Sequence, residues 1–77
     1  MHLSIITPEK TLFSGDADMV TIPGSEGVFG VLPKHAPFIS SLKAGTVIIE
    51  TGGKQQQIEI TGGFAEVTPE HVTVLAA

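Results

Sequence analysis

The chain has 77 residues and no cysteine, so it forms one small domain held neither by disulfides nor by thiolate-bound metal. Eight acidic residues stand against four lysines and no arginine, and a net charge of −4 excludes the basic face that nucleic acid demands. Hydrophobic residues make up 42% and charged ones 16%, which argues against disorder and leaves too few charges to clothe the surface, so some apolar surface is expected to serve as a contact site.

No apolar run approaches the ~20 residues of a membrane-spanning helix. The opening "MHLSIITPEK" lacks the charged n-region and long apolar core of a signal peptide, so the chain is expected to stay where it is made. Gly and Pro interrupt the sequence too often for helices, and period-two alternation describes it better. In "HLSIIT", Leu3 and Ile5 share one face of a strand that Pro8 ends. After "EKTLFSGD", a second strand from Ala17 to Ile22 sets Val20 and Ile22 against Thr21. "PGSEG" is a turn, and "VFGVL" is a short strand closed by Pro33. "HAPFISSLKAG" alternates at Phe38, Ser40 and Leu42 and is too short for a stable helix, so it is predicted as a strand.

"TVIIET-GGK-QQQIEIT" is the clearest hairpin, with Val47 and Ile49 on one face, Ile58 and Ile60 on another, and Gly52-Gly53 as the turn. In "GGFAEVTPEHVTVL" Ala65 and Val67 answer Val72 and Val74 across Pro69-Glu70. The sum is an all-β fold, a small β-sandwich or flattened barrel of about ten short strands in two sheets. No linker divides it, so residues 1–77 form a single domain.

Catalytic constellations are thin. His2, His35 and His71 have no short ligand spacing and no thiol to join them, so they read as surface histidines rather than a zinc site. Ser25, His35 and Asp16 assemble a triad only on paper, because no serine sits in a nucleophile turn. "GSEGVFG" lacks the lysine and following helix of a phosphate loop. Lys54, beside Gly52-Gly53, has the hairpin-tip placement of a lipoyl or biotinyl carrier lysine. Its neighbours Gly53 and Gln55 fit neither carrier pattern, and a solvated turn lysine is the plainer reading.

Three stretches, "TPEKTLFSGDADMVTIPG", "GSEGVFGVLPKHAPFISSLKAG" and "ITGGFAEVTPEHVTVLA", together resemble the amino-terminal domain of the F-type ATP synthase epsilon subunit family, called delta in mitochondria. The likeness covers the whole chain in order, and its Gly-x-x-Gly-x-Leu-Pro-x-His-Ala-Pro core is specific for its length. The resemblance implies a ten-stranded sandwich and a rotor-stalk subunit with no catalytic site and no cofactor of its own. Such a subunit grips gamma, rests on the ring of c subunits, and is peripheral to the cytoplasmic face of a bacterial inner membrane or its organellar equivalent.

By position, Glu26, Val28 and Phe29 match the family loop facing the c-ring. His35, Phe38 and Ser40 match the stretch near gamma, where Pro33 and Pro37 fix the backbone. Glu26 equally suits a solvated turn and Phe38 equally suits the core. Many members continue into a helical hairpin that inhibits hydrolysis and in some bacteria helps bind ATP. This sequence stops at Ala77, so no carboxy-terminal hairpin, inhibition or ATP sensing is expected from it.

Overall fold

The computed structural model describes residues 1–77 and contains strands and turns but no helix, hence none long and apolar enough to cross a membrane. Seven strands follow in order: β1 (His2–Ile6), β2 (Thr11–Asp16), β3 (Met19–Gly24), β4 (Gly27–Val31), β5 (Phe38–Thr51), β6 (Lys54–Val67) and β7 (His71–Ala76). They form one continuous hydrogen-bonded sheet in the order β2-β1-β7-β6-β5-β3-β4. Every pair is antiparallel except β1 with β7, which run parallel.

The spine is the β5–β6 hairpin, paired from Phe38↔Val67 to Thr51↔Lys54. Its tip is a two-residue turn, with Gly52 at φ 58° and Gly53 at φ 80°. Positive φ at both central residues is the turn whose twist matches the flanking strands, and only glycine adopts it freely. Asp18 Oδ2 accepts a hydrogen bond from Gly52 N at 2.9 Å, fixing the tip against the start of β3. The carboxy-terminal half of β6 carries β7, β1 and β2 on one flank, and the opposite half of β5 carries β3 and β4 on the other.

The two halves fold over a core of fifteen apolar residues, among them Leu3, Ile5, Val20, Ile22, Val47, Val67 and Val74, and no polar side chain is buried. The sandwich is therefore made by one sheet folded on itself. The count of about ten strands in two sheets is corrected to seven in one. The extra breaks expected at Gly45 and Gly62-Gly63 are bends within continuous strands. The buried set changes parity there, from Leu42 to Val47 and Ile49 in β5, and from Ile60, with half-buried Ile58, to Ala65 and Val67 in β6.

A strand that keeps one parity stays on one face. The parity changes let one strand serve the core in both halves, and the backbone cost falls on glycine. Gly62 and Gly63 lie at φ 145° and 129°, and a Cβ on Gly63 would sit 2.0 Å from the Leu75 carbonyl oxygen. The hairpin expectation is corrected in one respect: Val47 lies opposite Ile58, so the two apolar sets expected on different faces share one, whereas Ala65 and Val67 pair with Val74 and Val72 as expected.

Candidate functional site

The β3–β4 hairpin places the first group of candidate residues. Gly24 pairs with Gly27 around Ser25 and Glu26, and a Cβ on Gly24 would meet the Gly27 carbonyl at 2.7 Å and the Phe29 ring at 2.8 Å. The turn is tied to β5, since Ser25 N donates to the Ser41 carbonyl at 2.9 Å and Ser41 Oγ donates to Ser25 Oγ at 2.8 Å. Glu26 projects beyond these ties, exposed and engaged in no side-chain hydrogen bond or ion pair. Val28 is 65% exposed on the edge strand, whereas Phe29 turns inward against the core.

The second group lies at the corner between β4 and β5. Lys34 takes the left-handed conformation at φ 67°, and its N–H donates to the Pro69 carbonyl at 2.9 Å, clamping the corner to the β6–β7 turn. His35 is exposed, its Nδ1 is 3.1 Å from the Ala36 carbonyl, and its ring meets Phe38 edge-on at 5.3 Å. Phe38 in turn meets Phe29 edge-on at 5.3 Å. His35, Phe38 and Phe29 thus form an aromatic chain that joins the two candidate groups, in the geometry the ring quadrupoles favour. Phe38 is half-buried and packs on the core, and Ser40 is half-buried with its hydroxyl donating to the Ser41 carbonyl at 2.9 Å. The corner is therefore stiffened by packing and by backbone bonds as well as by its prolines.

Sequence position misses a third element, an apolar row on the outer face of the sheet. Ser41, Phe64, Leu75 and Ile6 lie side by side on β5, β6, β7 and β1, and Ile39 stands one row along beside Glu66. Ile39 is 73% exposed, Phe64 57% and Leu75 48%. A groove of about 400 Å³ runs from Pro37 past Ile39 to Glu66 and Thr68, linking this row to the corner. The available signal was parity: once Ala65, Val67, Val72 and Val74 face inward, Phe64 and Leu75 must face out.

The other constellations do not assemble. Ser25 is bonded to Ser41, Asp16 lies 3.5 Å from the Met1 amine and His35 rests on Phe38, so no hydrogen bond connects the three. No cluster of three or more His, Asp or Glu with metal-holding geometry exists. Lys54 does lie exposed at the hairpin tip, flanking the glycine turn.

Comparison with known proteins fits this arrangement. The family described as "ATP synthase, Delta/Epsilon chain, beta-sandwich domain" matches residues 1–77. The ATP synthase epsilon chain of Caulobacter vibrioides is 50% identical over 76 residues, 99% of this chain and 88% of that protein. The epsilon chain of Bradyrhizobium sp. (strain ORS 278) is 48% identical over 75 residues, and this chain spans 56% of its length. A chain in the Euglena gracilis mitochondrial ATP synthase structure containing OSCP, F1 and c-ring superposes with a TM-score of 0.89 at 30% identity, covering 96% of this chain and 48% of that one. A Tetrahymena thermophila chain from a central stalk and c-ring structure shares the fold, with a TM-score of 0.74 at 18% identity over 96% of this chain and 62% of that one. With the sandwich, the specific corner motif and the family match over residues 1–77 in agreement, the chain belongs to the ATP synthase delta/epsilon family, as its β-sandwich domain.

Proposed function

We propose that this chain is a non-catalytic rotor subunit of a proton-translocating F-type ATP synthase, binding gamma and the c-ring so that ring rotation is coupled to ATP synthesis. The observation that carries the reading is a pair of exposed surfaces on one body, the Glu26–Phe29 hairpin end and the apolar outer row continuous with the His35–Ser40 corner. An adaptor that transmits torque needs two surfaces held rigidly relative to each other. The Phe29–Phe38–His35 chain supplies that link.

The hairpin end suits the c-ring, with Glu26 free to accept hydrogen bonds or an ion pair from polar loops, Val28 exposed beside it and Phe29 packed behind it as support. Gamma takes the corner at His35, Phe38 and Ser40 together with Ile39 and Phe64, where burial of apolar area supplies the affinity. In this reading the chain is peripheral, at the cytoplasmic face of a bacterial inner membrane or the matching face of an organelle, and nothing of it enters the bilayer.

The test is capture of gamma, c, alpha and beta subunits by the chain from detergent-solubilised membranes. Phe64→Ser should weaken gamma binding by about 10–100-fold, the effect of losing a buried aromatic anchor. Glu26→Lys should impair c-ring association and leave gamma binding intact. Capture unaffected by either change would overturn the assignment of surfaces. A stoichiometric lipoyl or biotinyl adduct on Lys54 by intact mass would overturn the functional reading itself.

A further inference from the structure

We propose that His2 and His71 form a divalent-metal site on the outer face of the sheet, taking an imidazole-preferring first-row ion such as Zn²⁺ through one nitrogen of each ring. The two residues lie near opposite ends of the sequence, and the parallel pairing of β1 with β7 sets them directly side by side on the same face. Their ring centroids are 5.9 Å apart with an interplanar angle of 61°. A zinc ion about 2.0–2.1 Å from each nitrogen lies about 3.2 Å from each ring centre, so two rings sharing it at the tetrahedral angle stand about 5.2 Å apart. The observed pair is already close to that spacing. Both rings are exposed, so a side-chain rotation that aims both lone pairs at one point meets no packing cost.

The surroundings fit an open, exchangeable site. His2 Nε2 is 3.5 Å from Ser14 Oγ on the neighbouring strand. Asp16 faces His2 across β2 in register, with its carboxylate 3.5 Å from the Met1 amine. No third His, Asp or Glu completes the set, so the two imidazoles would be the protein's only ligands and water would take the remaining positions, which makes the site weaker than a three-ligand zinc centre. The second imidazole binds at the high effective concentration that a fixed neighbour provides. His35 has no such partner, since its ring rests on Phe38. Because the two ligands meet only when the first and last strands have docked, the ion binds the folded chain in preference to the unfolded one and holds β1 to β7.

The experiment titrates Zn²⁺ into the untagged chain and follows the ring resonances of the three histidines by NMR, alongside the melting temperature. The His2 and His71 signals should move together to saturation at one ion per chain while His35 stays still, and Tm should rise with zinc concentration. His71→Gln and His2→Gln should each weaken binding by about tenfold or more, the loss of one arm of a two-point chelate. His35→Gln should change nothing. Absence of saturation at millimolar Zn²⁺, or movement of His2 alone, overturns the site. His71→Gln binding as tightly as the parent also overturns it, because the ion would then rest on His2 and the terminal amine. If a variant does not fold, the parent titration still decides, since it reads both rings directly.

Discussion

Two glycine pairs that look alike in the sequence do different work. Gly52-Gly53 is a turn in open space, with no atom within 4 Å of an added Cβ, whereas Gly63 is pressed against β7 with the Leu75 carbonyl 2.0 Å from where its Cβ would lie. Gly52→Asn should therefore leave stability within about 1 kcal/mol, because Asn tolerates the left-handed region and Asn-Gly favours this turn. Gly63→Ala should cost about 3 kcal/mol or more, since φ strain and overpacking act together. Urea unfolding of the two variants checks the contrast, and equal midpoints would show that β7 can yield. The flanking residues hint at the difference: the turn pair precedes the polar run Lys54 to Gln57, while the bend pair precedes Phe64, Ala65 and Val67, apolar residues interrupted only by Glu66. What no local reading supplies is the neighbour, because β7 comes from farther along the chain. For the same reason the sequence placed Phe38 in the corner but left its role open, and only the contact with Phe29 shows it joining two surfaces.

Within strands, alternation was legible wherever one face meets the core, as at Leu3 and Ile5, Val20 and Ile22, or Val72 and Val74. It failed where β5 and β6 change parity, because each change resembles a strand end followed by a new strand. The parallel β1–β7 pairing was also invisible, since it depends on strands near opposite ends of the chain and leaves no local signature. Parity now separates two isoleucines of the same chemistry. Ile5 is fully buried and Ile39 is 73% exposed. Ile5→Ala should destabilise by about 2–5 kcal/mol, the range for a cavity in a packed core. Ile39→Ala should fall within about 0.5 kcal/mol, as surface changes do. Thermal melts of both measure the difference, and a large loss from Ile39→Ala would mean that its side of the sheet is covered in the free chain.

At the scale of the molecule, a Cα radius of gyration of 11.0 Å matches the compact limit of about 11.5 Å for a chain of this length. A core of fifteen apolar residues in 77 gives a small domain little reserve of stability, and the exposed Ile39, Phe64 and Leu75 are area a partner can bury. Binding and stability are then linked, because a partner that recognises only the folded chain stabilises it by mass action. On the proposed function, gamma supplied at a hundred times its dissociation constant should add about 2.7 kcal/mol. At roughly 4–8 °C per kcal/mol for a domain of this size, the melting temperature should rise by about 10–20 °C. Phe64→Ser should melt near the parent temperature when alone, because its ring lies outside the core, and with about 10–100-fold weaker binding should lose about half to five-sixths of the rise at the same gamma concentration. Scanning calorimetry of parent and variant, each with and without gamma, makes the comparison. A rise of equal size in the variant would place gamma away from the outer apolar row. A fall in the variant's own melting temperature would show instead that Phe64 supports the sheet beneath it.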